Sequence, residues 1–278
     1  MNIDGKTKLY GIIGNPVSHS LSPAMHNAAF AALGENRVYL PFPVENIGDA
    51  LIGLKALDVG GVSVTIPHKE SVMAELDEID SIAEKIGAVN TIVITGNGNE
   101  KKISGTNTDW AGANRALEQK ISLKGRRALI LGAGGSARAI GFGLLEAGSN
   151  IEICSRTEPR GRKLAAVLGC PWKSLADPEP SSGDILINAT SVGMSPNDQL
   201  SPFDKKYLEP FQVVMDIVYA PLQTRLLRDA EQVGCTCVNG LEMLLYQGVE
   251  QFELWTGLRA PVEVMRMALL RGTSGRQA

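Results

Sequence analysis

The sequence predicts an α/β fold in two domains with mostly parallel sheets. Three observations carry this. Strand and helix patterns alternate almost throughout the 278 residues. The pattern restarts near Asp109 with a buried strand, a glycine turn and a helix, and the chain after Asn239 is helical.

In chain order, residues 9–13 form the first strand and residues 23–33 a helix, with Gly34 placed to end it. In "SHSLSP" two readings of Ser22 stand. It caps the helix, with Pro23 in the first helical position, or it joins Ser20 in gripping a hydroxyl-rich small molecule. "GVSVTI" (61–66) alternates, with Val62, Val64 and Ile66 on one face and Ser63 and Thr65 on the other. Two short helical stretches follow Pro67, the second ending at Gly87. "AVNTIVIT" is a strand, and Asn97-Gly98 turns it back as a hairpin towards "ISGTNTD". From Asp109 to Asn239 come "RALILGAGGSARAIGFGLLEAG", then strands in "NIEICSRT", "DILINAT" and "VVMDIVY". Residues 241–255 and 261–271 are helical.

A net charge of −3 with no basic block excludes nucleic acid and anionic membrane surfaces as main partners. No apolar run approaches the roughly 18 residues of a membrane span. The N-terminus lacks a signal-peptide pattern, so a cytoplasmic protein is expected. Cys154, Cys170, Cys235 and Cys237 read as inert thiols. They and His19, His26 and His68 lack metal-ligand spacing, so no metal is expected.

"LILGAGGSA" fits the dinucleotide fingerprint, with Gly132, Gly134 and Ala137 in its three positions and Ala133, Gly135 and Ser136 completing the turn. Gly132 permits the turn, Gly134 lets backbone approach a pyrophosphate, and Ala137 lets helix and strand pack closely. The next strand ends in Ser155, Arg156 and Thr157 instead of an acid, which suits the 2′-phosphate of NADP; Glu152 lies inside the strand. Arg160 either adds charge there or is a solvated arginine at a helix start.

Three stretches carry polar residues that a plain core would not choose. In "VTIPHKE", Lys69 is expected in the first turn of a helix, where the macrodipole lowers a lysine pKa towards acid–base use; a solvated surface lysine is the alternative. Asn90 in "GAVNTIVI" is a buried amide that backbone or a ligand hydroxyl satisfies. Asp109 in "GTNTDW" either caps the following helix or stands beside the cofactor.

Together "GNPVSHSLSPAMHN", "VTIPHKE", "GAVNT", "GTNTDW", "LGAGGSARA", "NATSVGM", "DIVYAPLQTRLL" and "NGLEMLLYQG" resemble the shikimate dehydrogenase family over nearly the whole chain. The resemblance implies an NADP-dependent oxidoreductase that interconverts 3-dehydroshikimate and shikimate in aromatic amino-acid (chorismate) biosynthesis. It implies a substrate domain of residues 1–108 and 240–278 and a Rossmann-like NADP domain of residues 109–239. Ser20, Ser22, Thr65, Asn90, Tyr219 and Gln247 then contact substrate, with Lys69 and Asp109 catalytic. Thr190, Ile217 and Gly240 join the cofactor set. A monomer or homodimer acting on a small molecule is implied. Ser155, where asparagine is common, and Trp110, where a small residue is frequent, depart from the pattern. A quinate/shikimate dehydrogenase, or a non-catalytic NADP-binding regulator on the same fold, remain the alternatives.

Overall fold

The computed structural model describes residues 3–176 and 183–274. These residues form two compact units, one taking the chain to Thr108 and again from Gly248, the other Asp109–Gln247.

The first unit opens with β1 (Lys8–Gly14), α1 (Ser22–Ala32), β2 (Arg37–Pro43), α2 (Ile47–Ala56) and β3 (Gly61–Val64). It continues through β4 (Glu78–Ile79), α3 (Ser81–Ile86), β5 (Thr91–Thr95) and β6 (Lys102–Thr106). The strands form one sheet in the order β2-β1-β3-β5-β6-β4. β1 runs parallel to β2 and β3, whereas β5 is antiparallel to both β3 and β6. This sheet is therefore mixed, and the Asn97-Gly98 turn closes the β5–β6 hairpin with Ile94 opposite Ile103. Ile13, Val62, Val64, Ile92 and Ile103 fill its core.

Two local expectations fail here. β3 stops at Val64, and Ile66 is 72% exposed instead of continuing the apolar face. Beyond β3 the chain is captured by the exit of β1: Thr65 N–H donates to the Ile13 carbonyl and Asn15 N–H to that of Ile66. Lys69 lies in a turn ahead of a 3₁₀ segment, Ser71–Glu75, and not in the first turn of an α-helix. Its carbonyl accepts the Val89 N–H at 2.8 Å, so a tertiary bond takes the place of helix continuation. The dipole argument for Lys69 has no helix to act from.

The second unit contains α4 (Asp109–Glu118), β7 (Arg127–Leu131), α5 (Gly135–Glu146), β8 (Asn150–Ser155), α6 (Glu158–Leu168) and β9 (Trp172–Ser174). Then follow β10 (Ile185–Asn188), β11 (Val213–Asp216), α7 (Arg225–Gln232) and β12 (Thr236–Val238). Every pairing in its sheet is parallel, in the order β12-β11-β10-β7-β8-β9. The order reverses between β7 and β10, which is the doubly wound arrangement with its switch point beside the glycine turn.

Two helices end the described chain, α8 (Gly240–Thr256) and α9 (Val262–Ser274). α9 packs on α1 within the first unit. The unit boundary falls inside α8, so residues 240–247 group with the nucleotide unit and not with the first, as the sequence-based division had them. Gly112 is the physical reason. A Cβ there would lie 2.7 Å from the Gln247 nitrogen and 2.9 Å from the Met243 oxygen, so α4 and the start of α8 touch backbone to backbone.

Candidate active site

In the first unit the polar segments are gathered by backbone bonds at the carboxyl ends of β1 and β3. Val64 N–H donates to the Asn90 carbonyl at 2.7 Å, Val89 N–H to that of Lys69 at 2.8 Å, and Asn90 N–H to that of Thr106 at 3.1 Å. Thr65 adjoins Val64 and Asn15 bonds Ile66, so Thr65, Lys69, Asn90 and the serine loop converge there. Ligands of open α/β sheets bind at such carboxyl ends.

The helix cap is not Ser22. α1 begins at Ser22, Leu21 holds the cap position, and no side chain caps it. The helix starts one residue early because proline is equally at home one position further in. Ser22 N–H instead donates to Ser20 Oγ at 3.2 Å, which leaves the Ser20 hydroxyl proton available to an acceptor. Ser22 is buried, and its hydroxyl bonds Tyr39.

That contact opens a buried chain of hydroxyls and amides. Tyr39 Oη donates to Ser63 Oγ at 2.7 Å, and Ser63 Oγ to Gln251 Oε1 at 2.8 Å. Gln251 Nε2 donates to Thr91 Oγ1 at 2.9 Å and to the Asn90 carbonyl at 3.3 Å. Thr91 Oγ1 donates to Asn90 Oδ1 at 2.6 Å, which also accepts the Thr108 N–H at 2.8 Å. The chain links the serine loop to Asn90 and ends one residue before Asp109. Buried networks of this kind rigidify what they hold only when every member is satisfied. Sequence patterning placed Ser63 opposite the valines of its strand; it gave no sign of Tyr39 or Gln251.

His26 stacks on the Tyr39 ring, centroids 4.5 Å apart, and neither ring nitrogen has a hydrogen-bond partner. Burial drives its pKa down to about 3, opposed weakly by the nearby Gln251 amide. The unfolded chain therefore binds a proton from about pH 6.5 downward that the folded chain refuses until about pH 3. The stability this contributes is complete above pH 6.5 and is lost as pH falls towards 3, at up to about 1.4 kcal/mol per pH unit. We predict that His26→Phe gains on the native protein by that slope between pH 6 and about 4. Urea melts at several pH values would show a flat difference if His26 titrated normally.

In the second unit, β7 delivers the chain to Gly132, whose φ of +114° only glycine adopts readily. Gly134 is the N-cap of α5, and Ala137 is fully buried beneath the turn formed by Ala133, Gly135 and Ser136. A Cβ on Gly134 or Gly135 would meet nothing within 4 Å. Packing thus does not require glycine at either position, whereas a phosphate drawn onto the first amides of α5 does. The residues present fit a dinucleotide.

At the tip of β8, Arg156, Thr157 and Arg160 are exposed. Ser155 is not: it is 3% exposed, its Oγ accepts the Trp172 Nε1–H at 3.0 Å and donates to the Thr157 carbonyl at 3.2 Å. Its hydroxyl thus shapes the turn from inside. Glu152 pairs with Lys173 on β9 at 3.4 Å and is not a ribose acid. On the other side of β7, Thr190 follows β10, and Ile217 and Tyr219 follow β11. Gly240 is buried, and a Cβ there would lie 2.2 Å from the Ile217 oxygen, so it packs against that loop.

Gln247 is buried, with Nε2 donating to the Leu244 carbonyl at 2.8 Å. Asp109 is the first residue of α4 and 8% exposed. Trp110 meets Phe142 of α5 edge-on at 6.3 Å, so that departure is absorbed by helix packing. The cysteines are free thiols, and burial pushes Cys154 and Cys237 up to about 11, as inert thiols should be. No group of three metal-ligating side chains is found among the described residues, and no helix there is long and apolar enough to cross a membrane.

A family model described as the shikimate dehydrogenase substrate binding domain matches residues 12–92, and one described as the shikimate 5'-dehydrogenase C-terminal domain matches residues 240–270. Shikimate dehydrogenase (NADP(+)) of Pyrococcus furiosus is 48% identical over 271 residues, covering 96% of this chain and 97% of that protein. The chain belongs to the shikimate dehydrogenase family. Among solved structures, shikimate 5-dehydrogenase from Thermus thermophilus in complex with NADP(H) and shikimate is 37% identical, with a TM-score of 0.88 over 95% of this chain and 99% of that one. Quinate dehydrogenase from Corynebacterium glutamicum in complex with NAD is 30% identical, with a TM-score of 0.89 over 95% and 99%. The shikimate dehydrogenase fold thus also carries a different substrate and cofactor pair.

Proposed function

We propose that this member of the shikimate dehydrogenase family is an NADP-dependent oxidoreductase interconverting shikimate and 3-dehydroshikimate, a step of aromatic amino-acid biosynthesis. The observation that carries the cofactor half is the open glycine turn beside an exposed Arg156 and Arg160, with no ribose acid on β8. The substrate half is supported by the convergence of Ser20, Thr65, Lys69 and Asn90 at the carboxyl end of the first sheet.

In this reading Ser20 donates to the substrate carboxylate while Ser22 orients the Ser20 hydroxyl through its N–H, and Thr65, Asn90, Tyr219 and Gln247 bond the substrate's ring hydroxyls. When bound, NADP supplies the hydride acceptor at its nicotinamide ring. Lys69 takes or returns the proton on the oxygen of the reacting carbon, and Asp109 orients Lys69 and bonds the neighbouring hydroxyl. Residues 1–108 and 248–278 mainly serve the substrate, and residues 109–247 mainly serve the cofactor. The protein acts in the cytoplasm, as a monomer or homodimer. Incubation with shikimate and NADP should produce the ring-position-3 ketone, identified by NMR; unchanged shikimate would sink the assignment.

The paired serines favour shikimate over quinate, whose extra hydroxyl on the carboxylate-bearing carbon crowds that grip. For the cofactor, we predict that Arg156→Ala raises the KM for NADP about 10- to 100-fold, as expected when a charged hydrogen bond to phosphate is lost. Any turnover with NAD should stay unchanged. An equal loss with both cofactors would mean that Arg156 is not reading the 2′-phosphate.

A further inference from the structure

Asp216 ends β11 and is fully buried, although Val213, Val214 and Met215 before it are the apolar residues such a strand position favours. A carboxylate there is a poor choice for stability alone. Its bonds indicate what it does. Asp216 lies directly opposite Asn188, the last residue of β10. Its Oδ1 accepts from Asn188 Nδ2 at 2.9 Å and from the Val218 N–H at 3.0 Å, and its Oδ2 accepts from Thr224 Oγ1 at 2.7 Å.

Asn188 extends the knot to the neighbouring loop. Its Oδ1 accepts the Thr190 N–H at 3.0 Å and the Thr190 hydroxyl at 2.7 Å, and its Nδ2 also donates to the Val192 carbonyl at 3.1 Å. Thr224 in turn accepts the Leu227 N–H at 3.3 Å and so caps α7. One carboxylate therefore ties together the loop after β10, the loop after β11 and the start of α7.

Strand order says what those loops border. With the pyrophosphate at the turn after β7 and the 2′-phosphate end at the tip of β8, the other half of a dinucleotide extends over the ends of β10 and β11. We propose that Asp216 is a positioning residue: through Asn188 and Thr224 it fixes the loops of Thr190 and of Ile217–Tyr219 in the arrangement that holds the nicotinamide half. This rests on the NADP reading above. It assigns Asp216 no contact with substrate or cofactor.

The test compares NADP with 2′,5′-ADP, a probe that keeps the adenosine phosphates and lacks the nicotinamide half, by calorimetric titration. Asp216→Asn and Thr224→Val should weaken NADP about tenfold and leave 2′,5′-ADP within about twofold, while Thr224→Ser restores wild-type behaviour. Thr224→Val changes one hydroxyl to a methyl, so it serves if Asp216→Asn fails to fold. Equal loss of both ligands, or NADP binding at wild-type strength in Thr224→Val, would overturn the role given to Asp216. A native protein that binds neither ligand would overturn the NADP reading itself.

Discussion

Lys69→Ala lowers kcat on the order of a thousandfold and leaves the KM for shikimate within about threefold. The hydroxyl oxygen of the reacting carbon must lose or gain a proton as hydride moves, and positioned proton transfer contributes about 10²–10⁴-fold. Lys69 is the cationic side chain of the converging segments, and its backbone is pinned by the Val89 N–H next to Asn90. An interaction made only in the transition state reduces kcat and kcat/KM together, whereas loss of uniform binding appears in KM. Steady-state kinetics of the variant decide between them. A defect confined to KM would make Lys69 a binding residue and leave the proton without an owner.

The second large effect is on stability. Gln251→Leu should cost about 2 kcal/mol, because it removes the acceptor of the buried Ser63 hydroxyl proton and the amide donor to Thr91 Oγ1, while the Asn90 carbonyl keeps the Val64 N–H. Each buried group left unsatisfied costs about 1–3 kcal/mol. The melting temperature should fall by about five degrees. Because the same chain ends at Ser22 and at Asn90, the KM for shikimate should rise at temperatures where the variant is still folded, with NADP affinity intact. A variant as stable as the native protein would mean that the four-residue run from Tyr39 to Thr91 is not a connected network.

Much of the nucleotide unit was legible because its signals are local. A buried strand, glycines at fixed offsets and a helix fall within one short window, and the strand tip after it shows whether an acid is present. Where local and tertiary forces compete, the pattern misleads. Pro67 suggests a helix start, yet the bond from Val89 to the Lys69 carbonyl holds a turn there. Pro23 marks a helix start without saying which residue comes first. Ser155 stands at the strand tip like a ligand contact, but Trp172, 17 residues on, claims its hydroxyl from inside. The hydroxyl and amide chain under the proposed substrate site was illegible for the same reason: Ser63 and Gln251 are 188 residues apart and meet only in the folded protein. β9, three residues long, is too short to show any period.

The central claim is the pairing of substrate and cofactor, and one set of initial rates tests it. The purified protein would be offered shikimate or quinate, each with NADP or NAD, and the absorbance band of reduced nicotinamide followed. Shikimate with NADP should have the highest kcat/KM of the four. Faster oxidation of quinate, or no turnover with any pairing, would contradict it.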